Sequence, residues 1–172
     1  MSIPLFCIEK ISADRLTTIL TLAYEGSPDT DPDIIFINDL DIPSGPEPKD
    51  PSLSIPAINE YPFLGKTTTE LGAFITKFPE DWSLFHDIFL VADKQTAEND
   101  SLLLVQNLEP EETVRLAAEH ANAIPIAIRV ATMDIGGVQS LVDEDGIYRG
   151  GRSGGQVKKG GPAPRKQLAN GN

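Results

Sequence analysis

The 172-residue chain is 40% apolar and carries 26 acidic against 14 basic side chains. That length and apolar share supply one core, with room left for loops and a tail. Its single cysteine, Cys7, excludes an internal disulfide framework, and with no CxxC or Cys/His cluster the sequence offers no zinc site and calls for no cofactor.

The N-terminal run MSIPLFCIEK has no basic leader, and its apolar stretch is too short for a signal peptide or a membrane span. The expectation is a soluble intracellular protein, cytoplasmic or nuclear, in which the sequon at Asn99 stays unmodified. Charge is unevenly spread. Residues 1–148 hold all 26 acids and eight of the Lys and Arg, whereas residues 149–172 hold six bases and no acid. An acidic body repels nucleic acid and anionic membranes at long range and favours basic protein partners.

Residues 4–9 are apolar and read as a first strand. Ser12 is placed to cap a helix with Asp14 in its first turn, and Leu16, Ile19, Leu20 and Ala23 repeat along one helical face. Gly26 and Pro28 end it. The unbroken run Ile34, Ile35, Phe36, Ile37 suits a strand covered on both faces. Residues 39–59, with Pro43, Pro46, Pro48, Pro51 and Pro56, read as a long, irregular, mobile loop.

Thr67 and Glu70 form a capping box ahead of Leu71, Phe74, Ile75 and Phe78, a second helical face. Trp82 and Phe85 read as core anchors. Residues 87–92 and 101–106 are strand candidates joined by a polar connection, a hairpin. Residues 109–123 fit a helix start or a strand equally. Ile124, Ile126, Ile128 and Val130 alternate with other residues and predict a half-buried strand. In residues 132–150, Asp134 can cap a helix facing inward through Ile135, Val138, Leu141 and Val142. Gly136 and Gly137 weaken it by roughly 1 kcal/mol each. Asp143, Glu144, Asp145 and Gly146 make a turn, and Ile147 with Tyr148 a short strand.

Interleaved strands and helices predict an α/β fold: a single domain over residues 1–148 with a central mixed β-sheet of about five strands and about three flanking helices. A basic, Gly-rich tail over residues 149–172, with no apolar pattern, is expected to be disordered.

The run ATMDIGGVQSLVDEDGIYRG resembles the C-terminal signature of domain-of-unknown-function family 6924, whose members end in a pattern like ANMDF, an acidic-aromatic helix and VDxDGVFRG. DIFLVADKQTAENDSLLLVQNL is similar to that family's FLFVAD, turn and PLLVVDL hairpin. The resemblance spans residues 85–150, implies the fold and brings no catalytic residues. Gly136, Gly137 and the proline-rich insert depart from the pattern.

Asp29, Asp31 and Asp33 open like a calcium loop, but Ile34 stands at the sixth position and Leu40 at the twelfth, where glycine and a bidentate glutamate belong. Asp134, Asp143 and Asp145 would make a carboxylate or divalent-metal centre only if the fold brings them together. His86 and His120 are far apart in sequence, and Cys7 lies inside an apolar strand, where a thiol is buried and inert. No GxSxG, Walker loop or GxGxxG is present. In the tail, GGPAPRKQLA looks like the N-terminal tail of the third core histone, differing at Pro162, with Arg165 and Lys166 as the side chains displayed to a histone-tail reader or modifying enzyme. The same bases could instead fold back on the acidic body, a salt-sensitive contact. The sequence thus favours a protein-binding or regulatory module without catalytic activity, ahead of a carboxylate enzyme and a histone-tail mimic.

Overall fold

The apolar runs of the N-terminal half become strands because each buries both faces. A computed structural model describes residues 1–151 of the chain. Strand β1 (Ile3–Cys7) leads into helix α1 (Ala13–Glu25) and strand β2 (Ile34–Ile37). Helix α2 (Thr68–Ile75) precedes the hairpin of β3 (Ile88–Ala92) and β4 (Ser101–Gln106), bridged by the short helix α3 (Lys94–Asn99). Strand β5 (Glu112–Ala117), helices α4 (Ala123–Arg129) and α5 (Ile135–Gln139), and strand β6 (Ile147–Tyr148) complete the fold.

The six strands form one mixed sheet in the order β2-β1-β3-β4-β5-β6. Pairing is parallel for β2 with β1, β1 with β3 and β5 with β6, and antiparallel on both sides of β4. Every strand but β4 therefore points the same way. Alternate residues feed two cores. Ile3, Leu5, Leu90, Leu104 and Leu116 pack with α1, α4 and α5 on one face. Phe6, Ile35, Phe89, Val91 and Val105 pack with Leu71, Phe74, Ile75 and Phe78 on the other. Phe6 is the hub there, meeting Phe63, Phe74 and Phe89 edge-on at 5.0–6.1 Å, the arrangement that ring quadrupoles favour.

The caps predicted for α1 and α2 form. Ser12 accepts from the Arg15 amide at 3.2 Å. Thr67 and Glu70 exchange a reciprocal pair of bonds, which draws the Glu70 carboxyl down to about 2 through the Thr67 amide, Lys66 and the Thr67 hydroxyl.

Two expectations are corrected. Residues 123–129 are helical, not a strand. Ile124, Pro125 and Ile128 face inward, and Val130 is exposed. Pro125 stands in the first turn, where its missing N–H costs nothing. The strand instead comes from the ambiguous stretch before it, because β4 needs a partner. The proline-rich loop is irregular, as its composition requires, but it is tied down. The Ser52 amide donates to Ile34 O at 2.8 Å, the Ser52 hydroxyl accepts from the Phe36 amide at 2.9 Å, and the Tyr24 hydroxyl donates to Ser52 O at 3.0 Å. These bonds close the outer edge of β2, which would otherwise be a template for strand addition.

Among the described residues no helix is long and apolar enough to cross a membrane. The tail expected over residues 149–172, with Arg165 and Lys166, lies outside the described residues beyond Gly151.

Candidate functional site

The residues that concentrate acid, 132–150, resolve into two separate arrangements. Asp134 is the N-cap of α5, its carboxylate accepting from the Gly137 amide at 2.6 Å. A Cβ on Gly136 would stand 3.3 Å from Asp134 Oδ1, a tight approach, whereas one on Gly137 would lie 3.4 Å away, in ordinary contact. Ile135 and Val138 are fully buried, but the helix stops at Gln139, so Leu141 leaves the inward face and is 49% exposed. Asp134 also borders a hollow of about 360 Å³ with Gln106, Ile128, Ala131, Thr132 and Met133.

Asp143 and Asp145 form the second arrangement. The Gly146 amide donates to Asp143 O at 2.9 Å, with Gly146 at φ +78°, a conformation glycine adopts without strain. The turn points both carboxylates at Arg149. Its Nη1 donates to Asp143 Oδ2 at 3.1 Å and Asp145 Oδ1 at 2.9 Å, and its Nη2 to Asp145 Oδ2 at 2.8 Å. Those bonds hold the Asp145 carboxyl below its usual range, Arg149 being the largest cause. The structure thus brings Asp143 and Asp145 together around a guanidinium, while Asp134 is spent on a helix terminus. Among the described residues no group of three or more His, Cys, Asp or Glu side chains is placed to hold a metal ion.

The remaining candidates are also scattered. His86 precedes β3 and meets Phe78 edge-on at 6.3 Å; His120 follows β5 and packs on Tyr148 at 5.1 Å. Since β3 and β5 run the same way, the two imidazoles lie at opposite ends of the sheet. Cys7 is buried, its thiol donates to Glu9 O at 3.0 Å, and burial pushes its pKa up. A thiol so placed is not a thiolate nucleophile.

One polar cluster escapes a reading by motif. Arg115, in the middle of β5, crosses β4 to meet Asp93, the residue that follows β3 and caps α3. Nη2 lies 2.5 Å from Asp93 Oδ2, Nη1 lies 3.2 Å from Oδ1, and Nη1 also reaches the Ser101 hydroxyl at 3.2 Å. Burial raises the Asp93 carboxyl, but the bonds from Arg115 and the Thr96 amide outweigh it and hold the group below its ordinary value. The available signal was an arginine set between apolar neighbours in Thr113, Val114, Arg115 and Leu116.

In open α/β sheets ligands sit outside the carboxyl ends of the strands. Here the end of β1 is covered by the segment leading to α2. The Gly65 amide donates to Ile8 O at 3.0 Å and the Tyr61 hydroxyl to Ile11 O at 2.7 Å.

Fold and site define a mixed α/β domain closed at this end of β1, with its carboxylates spent on caps and turns or left in solvent. The chain belongs to the family described as Domain of unknown function (DUF6924), whose model matches residues 43–151. That match begins upstream of the β3–β4 hairpin and includes α2. No curated protein and no solved structure matches the chain.

Proposed function

We propose that the domain is a protein-binding module without catalytic activity, and that its acidic surface takes a basic partner. The observation that carries this reading is the excess of acid over base in the described residues, 26 Asp and Glu against nine Lys and Arg. Among the described residues only six acids (Asp87, Asp93, Asp100, Glu70, Asp143 and Asp145) enter salt bridges, out of 26 in the chain. The rest project a field that steers cations toward the surface and raises their encounter rate. Groups that could serve catalysis are otherwise employed: Asp134 caps a helix, Arg149 neutralises Asp143 and Asp145, and Cys7 is buried.

The test is a titration of the full chain with decalysine and, separately, with decaglutamate, followed by fluorescence anisotropy. Saturable 1:1 binding of decalysine alone supports the reading. Binding of neither, or equal binding of both, contradicts it.

A further inference from the structure

Two of the nine basic side chains in residues 1–151 line one apolar hollow of about 260 Å³ beside α2. The buried Phe63, Leu71 and Phe74 contribute its floor, and the half-exposed Leu40 its wall. Lys66 precedes the N-cap of α2 and Lys77 follows its C-cap, so the two cations mark opposite ends. They are not equivalent. Lys66 donates to Glu70 Oε1 at 2.9 Å, which leaves that end of the hollow neutral. Lys77 enters no ion pair among the described residues. Its ammonium lies 5.8 Å from the centroid of the Phe74 ring, an attraction that holds the charge beside the apolar floor.

An apolar hollow with one uncompensated cation at its end is complementary to a ligand with an apolar body and one negative charge. A second carboxylate would meet the end that Glu70 occupies, where no cation is left to pair with it. The volume lies just under the roughly 300–1,000 Å³ usual for small-molecule sites, so the ligand is small. Elsewhere the acidic surface repels anions, which makes this hollow a local exception. We propose that it binds a small apolar monocarboxylate of the short-chain fatty-acid class. The carboxylate sits on Lys77, and the chain lies between Leu40 and the rings of Phe63 and Phe74. Such a ligand is opposite in charge to a basic partner, so the inference stands apart from the basic-partner reading.

The experiment titrates the full chain, and its variants K77Q and L40S, with octanoate and with the neutral isostere octanamide. Lys77 and Leu40 are both exposed, so neither variant disturbs the core. Octanoate is expected to shift the amide resonances of Leu71, Ala73 and Phe74 saturably at concentrations on the order of millimolar, the affinity that so few atoms allow. Octanamide should bind about fivefold more weakly, the upper end of what an exposed ion pair contributes. K77Q should weaken octanoate by the same factor and leave octanamide unchanged, whereas L40S weakens both. The proposal is overturned if octanoate moves none of these resonances, if the two ligands bind the parent equally, or if K77Q binds octanoate as tightly as the parent does. Undiminished binding of both ligands by L40S overturns the placement of the chain in this hollow.

Discussion

Arg115 and Asp93 join β5 to the end of β3 across the intervening strand, with side chains only 10% and 21% exposed. No other ion pair among the described residues is as enclosed. Its members satisfy one another and two neighbours, Ser101 and Thr96. The pair therefore pins the antiparallel half of the sheet to the parallel half.

Replacing Arg115 by methionine keeps the length of the side chain but leaves Asp93 partly buried without its cation. The expected loss is about 2–3 kcal/mol at neutral pH, measured by urea denaturation. Because the folded-state pKa of Asp93 lies below its unfolded value, the contribution of the pair is full above the ordinary carboxylate range, about 4. It is lost as the pH falls through the folded value. The gap between wild type and R115M should accordingly narrow below about pH 4, and a gap that persists undiminished in acid would contradict this account.

Asn122 is completely buried and bridges two segments distant in sequence. Its Oδ1 accepts from the Asp33 amide at 3.1 Å and its Nδ2 donates to Asp31 O at 3.0 Å. Asn122→Ala leaves both backbone groups unpaired at the entry to β2, and the expected cost is about 2–3 kcal/mol. Hydrogen exchange should locate the loss, with the Asp33 amide losing protection first.

Asp134→Ala removes the cap of α5 and should cost about 1 kcal/mol. The effect is expected to be the same with and without added Mg²⁺ or Ca²⁺, and the Tm of the wild-type chain should not respond to either ion. A metal-dependent rise in Tm that disappears in D134A would restore the carboxylate-enzyme reading.

The sheet was largely legible because its strands bury both faces and leave unbroken apolar runs, as at Ile34, Ile35 and Ile37. Caps were legible for a different reason. Ser12, Thr67 and Asp134 act within three residues, so spacing alone locates them. The helix at 123–129 was not. Its isoleucines at every second position mimic a strand, and only the packing of Ile124 and Ile128 against the sheet decides between the two. Nor was the anchoring of the proline-rich loop, because Ser52 carries no local sign that it will meet β2. As for the site, the acids of residues 132–150 could be counted but not oriented. Asp134 is held at the N-terminus of α5, while Asp143 and Asp145 close on Arg149, which the sequence assigned to the tail.

The most direct measurement is the affinity of the full chain for decalysine as salt is raised from about 20 to 300 mM, a range over which the screening length falls below 10 Å. The account predicts saturable binding that weakens steadily with salt and disappears at the upper end. Binding that is indifferent to salt, or no binding at the lowest concentration, would contradict it.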